Sequence, residues 1–489
     1  MSSVEWSIVN NSGISPNGLG VFFCMVGCDS AGNYYYLYLP HASVPGQAVA
    51  AKLEEPSVRN ANAQGMIPVM TFQFTAKSTN SIRFTLPASL SDFGVQGLIS
   101  GRIYVGVGSP PPIAFAVDAL TKKVIGYAIP NMNAFIPSVY DFVEYTILAD
   151  PSAEEDRARR RTCCSVAAAG WKRVSDQFER ILLCCSPSHQ KKRFATAVRT
   201  GNSGLLSIDV TEVDQLGIPM TLGVQPSGCA AGPNQVGCLL ARSNLFSSFS
   251  DYCSKTTAAK AFLACAIADL SKFPVPYRLL NPSYVVLQNP TSPLASYFDD
   301  AVSTFFSPSR FNEDYPLLLT ATTGRSFSGV YATCGCRLGV PGEADLDGIL
   351  FRLCSGDGCF FLPSPANPSV VKQYGSATYQ TFACCGVFSN AEMVQNCDPA
   401  DALDILRQVV KAFNDGTCLM PPSKWGNADA QYQPGTSFNY YAAFLHEHFL
   451  GGYAYGFPFD DSAGSIISTK APADANIPSG VTISITPWS

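Results

Sequence analysis

The sequence predicts a mainly β protein with an α/β part: a β-sandwich or barrel joined to a mixed α/β domain, with a groove between them. Three observations carry this. The first 150 residues run through short alternating or aromatic segments with little helical periodicity. The 39 Gly and 35 Pro are spread along the chain, as many turns joining many short strands require. Outside residues 151–200, helical periodicity appears only after residue 222, and strand character returns at the end.

Composition bounds the rest. At 489 residues the chain exceeds one ordinary core, so two domains are expected. It is 47% hydrophobic and 14% charged, with mean hydropathy +0.11, which excludes disordered and fibrous classes. Net charge is −5, and nothing in it favours nucleic acid. Residues 151–200 hold 11 basic and 5 acidic residues, so this segment is +6 and the remainder −11. The acidic remainder argues against a polyanionic substrate but allows a neutral polymer. No apolar run reaches the roughly 18 residues of a membrane span. The 18 Cys suggest disulfides, but the N-terminus lacks a signal-like apolar region. The expectation is an intracellular chain with mostly free thiols, unless a signal was removed.

Taken in order, residues 4–9 and 19–26 read as strands around turn residues Asn10 to Gly13. Tyr34–Tyr38 continues the pattern, and Thr71–Thr75 and Ser81–Thr85 alternate cleanly. Ser100–Val105 follows, then Asp141–Ile147. In that heptapeptide Phe142, Glu144 and Thr146 share one face, and Val143, Tyr145 and Ile147 the other. Alone it fits a half-exposed strand with one solvated Glu.

The basic Cys-containing segment 151–200 reads as an insertion, in which Val174, Phe178, Ile181 and Leu182 fit an amphipathic helix. Gly204–Leu222 returns to strand. Ala258–Leu270 predicts a helix with Phe262, Leu263, Ala266, Ile267 and Leu270 on one face. Asp398–Asn414 carries full helix punctuation: Asp398 as N-cap, Pro399 in the first turn, Gly416 just beyond. Phe438–Phe449 predicts another helix, and Val481–Ile485 a last strand. The domains expected are 1–150, continued by 201–222 and 450–489; the insertion 151–200; and a mixed α/β domain 223–449.

Several blocks now resemble one family. These are Glu5–Asn11, Ser100-Gly101-Arg102-Ile103-Tyr104, Phe142-Val143-Glu144-Tyr145-Thr146, and Thr211-Glu212-Val213-Asp214 through Gly217–Met220. Asn439–Tyr441, His446 and Tyr453–Asp461 complete the set. In order and content they resemble glycoside hydrolase family 64, the thaumatin-like β-1,3-glucanases. The resemblance implies a thaumatin-like β-sandwich and an endo-acting, inverting hydrolase of β-1,3-glucan that needs no cofactor. It implies Glu144 as general acid and Asp214 as general base. Arg102, Thr146, Asp209, Thr211, Asp460 and Asp461 match its substrate-binding, acidic cleft. Glycosidic cleavage requires such a carboxyl pair.

The chain departs from the family pattern at Leu148, where an Asn is usual, and at Ser207, where a Trp is usual. It also places 70 positions between its two acids. The alternative is therefore a non-catalytic thaumatin-like protein that binds glucan or self-assembles, with the 151–200 insertion as the contact. His446-Glu447-His448 lacks the spacing that puts two metal ligands on one helical face, so no metal site is expected.

Overall fold

In a computed structural model, the described residues are 3–14, 20–28, 33–38, 46–47, 49–52, 66–68, 72–73, 81–87, 97–108, 111, 114–117, 124–128, 139–148, 204–225, 234–268, 278–334, 348–356, 358–389, 394–395, 397–460, 467–470 and 480–489. The 151–200 insertion with its expected helix, and Asp461, lie outside them.

Two large sheets stack face to face. One has six strands, in the order Gln235–Gly237, Met220–Gln225, Gly480–Ile485, Ser3–Asn10, Ser81–Pro87 and Gly46–Gln47. The N-terminal strand pairs in parallel with the C-terminal one and antiparallel with Ser81–Pro87. The other has eight strands, in the order Ile467–Lys470, Gly204–Val210, Val139–Leu148, Gly97–Val107, Val21–Cys28, Tyr34–Tyr38 and Val49–Lys52, with Phe72–Gln73 beside Val21–Cys28.

Strand alternation explains why the eight-stranded sheet faces two cores. Phe23, Met25, Ile103, Val105, Val143 and Tyr145 point to the six-stranded sheet and pack with Trp6, Ile8, Phe84, Leu222 and Ile483. Cys24, Val26, Tyr104, Tyr140 and Phe142 point the other way, into a second core built with helices. The central strand Val21–Cys28 is consequently buried almost throughout, which is why its sequence is a continuous apolar run.

The second core is filled by the helices Arg242–Ser254, Pro282–Gln288, Pro399–Asp415 and Tyr440–His448, and by a five-stranded sheet, Leu317–Thr320 to Val394–Gln395. The Pro399–Asp415 helix has the expected ends: Asp398 accepts a bond from the Ala400 N–H, and Gly416 closes it at φ +78°. Its buried stripe includes Leu406, Val410 and Phe413, together with Ala402, Ile405 and Val409.

The helix expected over Ala258–Leu270 is not continuous. Thr257–Lys260 is α-helical, Ala261–Cys265 tightens to 3₁₀, and Ala266–Ile267 is a strand. Ala266 and Ile267 pair with Leu279 and Arg278, so their backbone bonds go to a sheet instead of a helix. Phe262 and Cys265 are still buried.

Cys354 and Cys359, directly opposite on neighbouring strands, form a disulfide. Among the described residues Cys24, Cys238, Cys253, Cys265, Cys397 and Cys418 are free thiols. No helix among the described residues is long and apolar enough to cross a membrane.

Candidate active site

Three adjacent strands of the eight-stranded sheet place charges in one row. Glu144 stands opposite Arg102 on one neighbour and opposite Asp209 on the other. All three are buried, on the face that Tyr104 and Phe142 turn to the helical core. The half-exposed strand that the heptapeptide suggested alone is thus not what forms.

Asp214 arrives from a different direction. After Val210 the chain leaves the sheet through Thr211, Glu212 and Val213, then pairs Gln215 with Leu280. This turn is pinned by Asp141, which lies on the opposite strand face from Glu144. The Asp141 carboxylate accepts from the Gly217 and Ile218 N–H groups at 2.7 and 3.1 Å, and from Phe142 N–H at 2.9 Å. The Gly217 carbonyl accepts from Arg242 Nε at 2.8 Å. A Cβ at Gly217 would collide with the Tyr140 carbonyl, so this approach requires glycine. Burial pushes the Asp141 carboxyl up to about 7, against its three backbone hydrogen bonds.

Arg102 joins the two carboxylates. Its guanidinium is 2.5 Å from Glu144 Oε1 and 3.5 Å from Asp214 Oδ2. It also donates to Tyr104 Oη at 3.0 Å and lies over the Phe142 ring, 4.3 Å from its centroid. Because one planar guanidinium reaches both acids, the two oxygens it touches are no more than about 8 Å apart. Tyr284 donates to the other Asp214 oxygen, Oδ1, at 3.0 Å.

The remaining sequence-predicted residues divide. Thr211 is buried at the start of the Asp214 turn. Thr146 lies on the Glu144 strand, opposite Ser207. Asp460 is joined to a second set of charges. It is fully buried, and its oxygens take bonds from His446 Nε2 (3.0 Å), Lys411 Nζ (3.5 Å) and the Gly456 N–H (2.9 Å). With these partners Asp460 anchors the 453–460 loop. Asp415 accepts from Lys411 (3.2 Å) and from Gln431 (3.0 Å), which extends the cluster.

Burial opposes charge on Asp460, but the His446 and Lys411 charges win and hold its carboxyl below the ordinary range. His446 is raised above its ordinary value despite burial, by the Asp460 charge and its hydrogen bonds. Glu212 is buried next to Asp141 and Asp209, and burial pushes its carboxyl well up. Among the described residues no group of His, Cys, Asp and Glu could hold a metal ion.

Sequence reasoning missed Tyr284, Asn281, Asp141 as a brace, and Lys411 with Asp415. The signal for the first pair was the Asn281-Pro282 dipeptide, an N-cap followed by a first-turn proline.

Residues 189–478 match the Glyco_hydro_64 family model, described as Beta-1,3-glucanase, which is more than half of the chain. The chain belongs to glycoside hydrolase family 64. The matched segment contains Asp214 but begins after Glu144 and Arg102. The family's solved structures share the fold. A β-1,3-glucanase domain of family 64 from Clostridium beijerinckii is 19% identical with a TM-score of 0.58, over 99% of this chain and 98% of that one. A laminaripentaose-producing β-1,3-glucanase, solved in complex with laminaritetraose, is 17% identical with a TM-score of 0.61, over 100% of both chains. A laminaripentaose-producing family 64 enzyme from Paenibacillus barengoltzii is 17% identical with a TM-score of 0.50, over 99% of this chain and 75% of that one. No curated protein is similar enough to match. Family membership makes this chain a glycoside hydrolase of the β-1,3-glucanase type.

Proposed function

We propose that the protein is an endo-acting, inverting hydrolase of β-1,3-glucan. Glu144 protonates the glycosidic oxygen as it leaves. Asp214 takes a proton from the water that attacks the anomeric carbon from the opposite face. Inversion needs carboxyls about 6.5–9.5 Å apart, with the water between them. The roughly 8 Å ceiling set by Arg102 leaves room for that arrangement.

The observation that carries the reading is the single guanidinium of Arg102 held between Glu144 and Asp214 on a buried sheet face. It ties two acids 70 positions apart in sequence into one constellation. The stacked sheets are read as a thaumatin-like sandwich, and the glucan as lying between its Glu144 face and the helical domain. Arg102, Thr146, Asp209, Thr211, Asp460 and Asp461 are proposed to contact the sugar chain. A neutral polymer suits a site whose charges already balance one another in part.

The test is reducing-sugar release from laminarin by the wild type and by Glu144→Gln. The wild type is expected to cleave, and the variant to lose activity by about 10²–10⁴-fold with its circular dichroism unchanged. Glucan binding by a folded wild type that releases no sugar would overturn the hydrolase reading. It would favour a binding protein, the role to which Leu148 and Ser207 point.

A further inference from the structure

Asp214 is held by one short stretch of chain that the carboxyl pair itself does not explain. Asn281, fully buried, donates its N–H to the Asp214 carbonyl at 3.0 Å. Its side-chain amide donates to the Gly456 carbonyl at 2.8 Å. Its Oδ1 accepts from the Ser283 N–H and hydroxyl at 2.9 and 2.7 Å, capping the Pro282–Gln288 helix. That cap sets the first turn, and the first turn delivers Tyr284, whose hydroxyl donates to Asp214 Oδ1 at 3.0 Å. The backbone and the carboxylate of Asp214 are therefore gripped by residues three apart on the same turn.

We propose that Tyr284, set by the Asn281 cap, is a positioning residue that aims the Asp214 carboxylate. The inference rests on Asp214 being the general base. A base must be charged and must point one lone pair at water. A hydroxyl on Oδ1 and a guanidinium on Oδ2 fix the plane of the carboxylate.

The experiment uses Tyr284→Phe, which keeps the ring and removes the hydroxyl. Two readouts are taken on the full-length protein. The first is the carbon-13 resonance of the Asp214 carboxyl in aspartate-labelled protein, assigned by its loss in Asp214→Asn. The second is kcat and KM on laminarin. The resonance is expected to move, and kcat to fall about tenfold with KM unchanged, because a misaimed base slows the chemical step and leaves glucan binding alone. A merely structural role would leave the resonance in place, or raise KM as kcat falls. An unmoved carboxyl resonance in folded Tyr284→Phe would overturn the proposal. If the wild type fails to cleave laminarin, the hydrolase reading falls by that result alone, and the carboxyl resonance still decides whether Tyr284 positions Asp214.

Discussion

Asp141 and Glu144 sit three residues apart on one strand and do different work because strand side chains alternate. Glu144 shares a face with Tyr104 and Phe142, and Asp141 clamps the Gly217 turn from the other. Asp141 also gives the protein a pH dependence of definite sign. Its folded carboxyl is raised to about 7, so the folded state prefers it neutral. Its contribution is fully present below the unfolded carboxylate value, about pH 4, and is lost as pH rises towards 7. Asp141→Asn removes this slope and faces an amide N–H against a backbone donor, at about 1–3 kcal/mol. The deficit of the variant, measured by urea unfolding, is expected to narrow between about pH 5 and pH 8. Glu144 and Asp214 were both proposed from the sequence, through the family resemblance. Tyr284 was not, because its contact with Asp214 crosses 70 positions and no pattern of local spacing encodes it.

At the scale of elements, the 453–460 loop is held by the His446–Asp460–Lys411–Asp415 cluster. The family resemblance put Asp460 in the cleft. Packing gives it internal partners as well: the Pro399–Asp415 helix brings Lys411 and Asp415 to it, and the Tyr440–His448 helix brings His446. The sign of the His446 contribution follows from its raised folded value. Its stabilisation is fully present below about pH 6.5 and is lost as pH rises through the higher folded value. Asp460 works in reverse: its carboxyl is lowered, so its share is present above about pH 4 and lost as pH falls. His446→Gln is therefore expected to destabilise the protein at about pH 6 and progressively less as pH rises, seen as converging urea midpoints. The Pro399–Asp415 helix was readable to its caps because capping is local. The Ala258–Leu270 helix was misread because a two-residue ladder with Leu279 and Arg278 outcompetes local propensity.

For the whole molecule, the eight-stranded sheet is the common wall of both cores, which couples them. Ile483 lies fully buried in the core between the sheets, away from the helices. Ile483→Ala is expected to cost about 2–5 kcal/mol. Because the wall is shared, amide exchange in the remote Pro399–Asp415 helix is expected to accelerate as well; unchanged protection there would mean that the two cores open independently. By itself the sequence determined the β-rich start, the well-punctuated helices and the family, and it proposed the two acids, because periodicity, caps and short motifs are written within a few residues of one another. Tertiary structure alone decided that Arg102 bridges those acids, that Tyr284 and Asn281 grip Asp214, and that Asp460 is an internal anion. Those facts depend on which distant strands and helices meet, and burial, which sets the sign of each ionisable group, exists only once they do.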